Sequence, residues 1–199
     1  YLFLDTSSSY HLIILSHSDQ DFEGVFVRPE PKASSLFLLN TLTQLLGDMS
    51  FADLDGLLVG RGPGSLTSLR TALSAAQGIC VATSLPVWPI SSLRWFCEGA
   101  LLRCQHPVRV LMDARSDQLY VGTLREGQFE MSLESVTNKV HEDDSFKTYA
   151  VGMMRDDVPC ERVDSDWLSS LNRAARHWVS QNNAGNISDL EGLYLKAPV

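Results

Sequence analysis

Apolar residues come first in short runs separated by polar turns, and only later at helical spacing. Tyr1 to Leu4 reads as a strand, Asp5 to Ser9 as a polar turn, and His11 to about Leu15 as a second strand. A second polar turn, Ser18 to Asp21, leads to a third strand begun by Phe22, Val25 and Val27. Strands this close in sequence predict an antiparallel meander, which Pro29 and Pro31 end. From Ala33 to Gly47 the period changes. Leu38, Leu39, Leu42, Leu45 and Leu46 make one wide helical stripe, and Gly47 is its stop. Asp53 to Val59 leads into a turn with three glycines and a proline, and Leu66 to about Thr83 is a second helix, capped by Ser65 or Thr67. Pro86 to Ile90 is a further strand, and Ser91 or Ser92 caps a third helix running towards Arg103.

After Pro107 the opening pattern returns. Leu2-Phe3-Leu4-Asp5-Thr6-Ser7-Ser8 and Val110-Leu111-Met112-Asp113-Ala114-Arg115-Ser116 share an apolar triplet, an Asp and a Ser three places later. Each is followed by a strand-like run, His11 to Leu15 and Leu119 to Leu124, so duplication and coincidence both stand as readings. Gly127 turns a hairpin into a strand over Phe129 to Val136, and His141 to Ser145 is a solvated acidic loop. Tyr149 to Val151 reads as a short strand. Asp166 to Gln181 is a helix with Trp167, Leu171, Ala174 or Ala175 and Trp178 at core spacing. Asn182 to Asn186 is a loop, and Leu193 to Leu195 a last strand or tail.

Composition narrows the function classes. The 199 residues are 44% hydrophobic, and 16 Lys and Arg face 24 Asp and Glu for a formal charge of −8. Such a balance argues against gripping a phosphate backbone unaided. Cys80, Cys97, Cys104 and Cys160 form no CxxC pair, which fits a reducing cytoplasm. No run approaches membrane-spanning length, and the opening residues lack the basic flank of a signal peptide. The histidines at 11, 17, 106, 141 and 177 make no HxxH, HxxxH or HExxH pair, so no metal site is expected. There is no GxSxG elbow either.

The central stretch Leu57 to Gly78, LLVGRGPGSLTSLRTALSAAQG, is a strand, a tight turn and a helix N-terminus. Unpaired N–H groups at such a terminus can cradle an anion, although the glycines also serve simple close packing. Its wording closely resembles the TsaB (YeaZ) family, whose usual text is GRGPGSFTGLRIG. The chain departs from it at Leu66, Ser68, Thr71 and Ala72. Weaker likeness lies in Leu4-Asp5-Thr6-Ser7, Asp113-Ala114-Arg115 and Tyr194-Leu195-Lys196. The resemblance implies an α/β actin-like ATPase fold (ASKHA, ribonuclease H-like) with a first lobe over 1–104 and a reduced second lobe over 105–199. It further implies a non-catalytic subunit that activates a TsaD-type transferase in making threonylcarbamoyladenosine in tRNA. TsaD proteins carry an HxxxH metal site, which this chain lacks. The other partners implied are a TsaE-type ATPase and, for the chain alone, a second copy, with no autonomous tRNA binding and no membrane.

The same resemblance places Asp5, Thr6, Arg61, Gly62, Pro63, Gly64 and Ser65 near a nucleotide, ATP or ADP, at the junction with the partner. No cofactor of the chain's own is expected. An active kinase of this fold needs acids for magnesium and glycine turns around phosphate. Thr6 to Ser9 contains neither glycine nor lysine, so turnover by this chain alone is disfavoured, and an autonomous nucleotide-binding enzyme stays as the alternative. From Ala33 to Gly47 there is no charged residue, and from Leu66 to Thr83 only Arg70. Outer helices should show a charged face. Burial within the monomer is one reading of their absence. The other, which the resemblance favours, is a helical seam using Leu38, Leu42, Leu45, Leu73 and Ala76.

Overall fold

The meander forms as the alternation requires, with β1 (Leu2–Asp5), β2 (His11–Ser16) and β3 (Phe22–Val27) antiparallel in sequence. The computed structural model describes residues 1–30, 34–104, 106–136, 144–152 and 160–190. Within these, β4 (Leu57–Gly60) lies parallel to β1, and β5 (Val87–Ile90) parallel to β4, giving the order β3-β2-β1-β4-β5. β1 is buried on both faces because it is central. Leu2 and Leu4 point to one side and Phe3 to the other, as period-2 alternation demands.

The second half builds the same sheet again. β6 (Val108–Arg115), β7 (Gln118–Arg125) and β8 (Gln128–Ser135) are an antiparallel meander, and β9 (Lys147–Val151) and β10 (Glu161–Arg162) add in parallel beyond β6. Read from β8, the order β8-β7-β6-β9-β10 reproduces that of the first sheet strand for strand. The repeat between Leu2–Ser8 and Val110–Ser116 is therefore a repeat of structure.

Helices sort into two layers. α1 (Ser34–Leu46) and α2 (Leu66–Thr83) cover the outer face of the first sheet, where Leu2, Leu4, Ile13 and Val59 meet Leu38, Leu42, Leu69, Leu73 and Ala76. α3 (Ser92–Leu101) and α4 (Leu168–Gln181) lie between the sheets and share one core with Phe3, Ile14 and Leu58 on one side and Val110, Met112 and Val151 on the other. Ser91 is the α3 cap, its side chain accepting from the Arg94 N–H. Ser65 caps α2 by position, its side chain accepting from Ser68 Oγ at 3.2 Å rather than from a helix N–H.

Several element ends differ from the periodicity. β4 begins only at Leu57, because Phe51–Asp53 is a 3-10 turn held by the Asp53 carboxylate on Ser50 N–H at 2.7 Å. α3 stops at Leu101, short of Arg103. α4 starts at Leu168, since Ser165–Trp167 forms a 3-10 turn capped by Asp164. The expected tail strand at Leu193–Leu195, Ala33 and His141 fall outside the described residues. The expected division at 104/105 separates the two sheets but not the layers. From Leu168 the chain runs back across the first sheet, where Gly185 N–H donates to Val87 O at 2.7 Å and Leu190 is buried beneath α2.

Candidate functional site

The ends of β1 and β6 bring their two hairpin turns to opposite sides of a cleft of about 630 Å³. Ser7, Ser8, Ser9, Arg28 and the α2 start, Gly64 to Ser68, line one side, and Asp113, Ala114, Arg115 and Tyr120 the other. The glycine-rich loop is fastened at both ends. Arg61 N–H donates to Ile90 O at 3.0 Å, Ser92 N–H to Gly62 O at 2.8 Å, and Gly62 N–H to Ser92 Oγ at 3.0 Å. On the other side Ser65 N–H donates to Ser7 O at 2.7 Å, and a Cβ on Gly64 would overlap the Ser7 backbone. The peptide between Gly62 and Pro63 is cis.

This fastening decides which of the expected residues reach the cleft. Gly64 and Ser65 line it; Asp5, Thr6, Arg61, Gly62 and Pro63 are not among its walls. Thr6 is fully buried, its hydroxyl donating to Ser68 O at 2.6 Å. Asp5 is 1% exposed. Its Oδ1 accepts from Ser7 N–H at 2.8 Å and Ser7 Oγ at 2.6 Å, while Oδ2 is buried against Gly60 beside the Ser92 hydroxyl. Burial pushes the Asp5 carboxyl up, against the hydrogen bonds from Ser7 and Ser92. Asp5 thus bonds its own turn and is not among the cleft walls. Asp113 is exposed, with Oδ1 accepting from Arg115 N–H at 2.9 Å. Two guanidiniums, many hydroxyls and a helix N-terminus make the cleft suited to an anion.

Sequence reasoning misses Arg28, His11 and Tyr120, whose only signal is topological, since each sits near a strand end beside a polar turn. His11 packs edge-on against Phe37 of α1, ring centroids 5.7 Å apart. Burial pushes its imidazolium down to about 4.

A second surface lies on the far side of the first sheet. The expected seam residues Leu38, Leu42, Leu73 and Ala76 are buried within the monomer's own core, and only Leu45 is half-buried. The reason is geometric: a doubly covered central sheet draws the widest apolar stripe of each helix inward. What remains outside is still apolar. Leu36 is 60% exposed, Leu39 57%, Leu66 42% and Val81 73%, with Arg70 the one charged side chain on either helix. Gly78 is exposed, and a Cβ there would meet nothing within 4 Å, so the monomer itself does not require a glycine.

Two sheets of identical order, facing turns and a cleft between them define a protein of the actin-like (ASKHA, ribonuclease H-like) class. No helix among the described residues is long and apolar enough to cross a membrane. A family model described as TsaD, tRNA N6-adenosine threonylcarbamoyltransferase, matches residues 14–149, and the chain belongs to that family. The tRNA threonylcarbamoyladenosine biosynthesis protein TsaB of Escherichia coli K12 is 38% identical over 73 residues, 36% of this chain and 31% of that protein. Its namesake in Haemophilus influenzae is 40% identical over 67 residues, covering 33% and 28%. The match thus spans about a third of the length of these curated relatives. The solved structure of YeaZ from Pseudomonas aeruginosa superposes with a TM-score of 0.72 at 22% identity, covering 97% of this chain and 98% of that one, which is a likeness of fold.

Proposed function

We propose that this chain is a non-catalytic subunit that binds and activates a TsaD-type transferase in forming threonylcarbamoyladenosine in tRNA. The observation that carries the reading is the outer face of α1 and α2, where Leu36, Leu39, Leu66 and Val81 stand exposed around a single cation, Arg70. A monomer gains nothing from four such side chains in water, whereas a partner covering them removes apolar surface from solvent. A partner that covers Arg70 must present a carboxylate to it, because an unpaired buried charge is costly. Against the alternative, an autonomous nucleotide-binding enzyme, stands the inward turn of Asp5. A nucleotide at the junction with the partner would meet Gly64 to Ser68 and the guanidiniums of Arg28 and Arg115. A second copy of the chain is the occupant of the same face when the transferase is missing, and a TsaE-type ATPase joins the assembly as a further partner.

The test is threonylcarbamoyl transfer to tRNA by the matching TsaD-type and TsaE-type proteins with this chain, without it, and with Leu39→Glu or Val81→Glu. Transfer should require the chain. Each variant should melt as the parent does and bind the transferase at least about 30-fold more weakly, the loss of a 2 kcal/mol hot spot. Transfer that proceeds equally without the chain overturns the function, while full binding by both variants moves the interface elsewhere.

A further inference from the structure

The two sheets are joined by more than a hinge. Trp95 and Phe96 of α3 and Leu171 and Ala175 of α4 form one buried layer whose neighbours come from both sheets. Trp95 Nε1 donates to Leu171 O at 2.9 Å inside that layer. At the end away from the cleft, fully buried Asn172 donates through Nδ2 to Ser18 O at 2.9 Å and Asp19 O at 3.2 Å, and Arg176 pairs with Asp19 at 3.1 Å. At the cleft end the lobes touch directly. A Cβ on Gly152, just beyond β9, would lie 3.1 Å from both Ser8 Cβ and Ser9 Oγ of the first turn.

We infer that the two sheets form a single rigid body, with α3 and α4 as the locking layer, so that the cleft keeps one width and does not close on a nucleotide. Domains move when their interface is small and polar; a large apolar one holds them together. Here the shared layer is apolar and buried, and such cores do not deform continuously. Rocking one sheet against the other would expose Trp95, Phe96 and Trp167 or strip Asn172 of its two acceptors. Prying the cleft mouth wider would also part Gly152 from Ser8. The surface pair Arg176–Asp19 adds little by itself, since exposed ion pairs are screened by solvent and salt. The inference stands on packing, independently of the partner reading. It implies that any nucleotide dependence of an assembly containing this chain originates in the partner.

Residual dipolar couplings of backbone amides in both sheets, measured on the intact chain with and without excess Mg-ATP, test the lock. One alignment tensor should fit β1–β5 and β6–β9 together, unchanged by Mg-ATP. Two distinct tensors, or a reorientation on adding Mg-ATP, would overturn it. Amide exchange in Asn172→Ala supplies a second reading on a milder lesion. Its protection should fall by the same factor in β1 and β6; loss confined to one sheet shows that the sheets open separately, and the lock fails.

Discussion

The two lobes share a sheet and differ in what lies on its outer face. Between β3 and β4 the chain spends residues 28–56 and builds α1, and between β4 and β5 residues 61–86 and α2. The corresponding connections in the second lobe are only 136–146 and 152–160. Neither has room for helices of that length with their turns. The outer face of the second sheet accordingly holds a small cluster, Leu111, Leu119, Val121 and Ala150, with Val136 and Cys160 against it. The first carries a full helix layer. The difference teaches where unpartnered apolar surface can arise: the lobe with two outer helices presents their uncharged faces, whereas among the described residues the other lobe has only a small apolar cluster on that side.

The contrast is sharpest within α1, where one turn separates a core leucine from an exposed one. Leu42 is 2% exposed and Leu39 57%. Leu42→Ala should cost about 2–5 kcal/mol by denaturant unfolding, from lost transfer energy and the cavity left against the first sheet. Leu39→Ala should stay within about 0.5 kcal/mol. Equal costs would mean that α1 does not pack on the sheet through the stripe assigned to it. The same reasoning makes a glutamate at Leu42 or Ala76 a poor probe of association, since it would unfold the monomer.

Next in size is a pH effect that belongs to the first lobe alone. His11 and Gln118 hold matching places at the starts of β2 and β7, but His11 is buried beneath Phe37 of α1 and Gln118 is exposed. The folded protein holds the His11 imidazolium down to about 4, against about 6.5 in the unfolded chain. The unfolded state therefore binds the proton more readily between these values. Stability is complete above about pH 6.5 and falls as the pH drops through 4, by up to roughly 3 kcal/mol. His11→Gln, which imports the second lobe's residue, should flatten urea midpoints over that window. Asp5 works in the opposite sense. Its carboxyl is pushed up by burial, so its penalty is present at neutral pH and is relieved on acidification.

How much of this was legible in the sequence depends on how local each cause is. The meanders were readable because alternation and polar turns are properties of adjacent residues, whereas the Asp5/Asp113 repeat left duplication and coincidence open until the two sheets were seen to share one order. The central loop could be placed as a strand-to-helix turn from its glycines. What could not be read was direction. The leucines of α1 make a stripe wide enough that Leu38 and Leu42 look as available as Leu36 and Leu39, and only the position of the sheet decides which are core. Asp5 posed the same problem, since nothing local says whether a turn carboxylate faces the cleft or its own backbone. β10, two residues long, carries no period to detect.

The smallest expected effect concerns the two facing turns. The first is tied to the glycine-rich loop through Ser7, Gly64 and Ser65, so its conformation is set by contacts outside itself. The second takes Arg115, Ser116 and Asp117 through φ of 66°, 51° and 58°, left-handed at three successive residues that are not glycine. Each such residue costs roughly 1 kcal/mol relative to its relaxed conformation. Ser116 and Asp117 close a two-residue hairpin of the kind that favours Asn-Gly or Asp-Gly. Ser116→Gly should therefore stabilise the chain by about 0.5–1 kcal/mol, visible as a small rise in Tm, because relief of the left-handed penalty exceeds the extra chain entropy lost on folding. Gly64→Ala should do the reverse, costing about 1–3 kcal/mol as its Cβ meets the Ser7 backbone. If Ser116→Gly instead destabilises, the chain entropy lost outweighs the left-handed strain, and the second turn is held as firmly as the first.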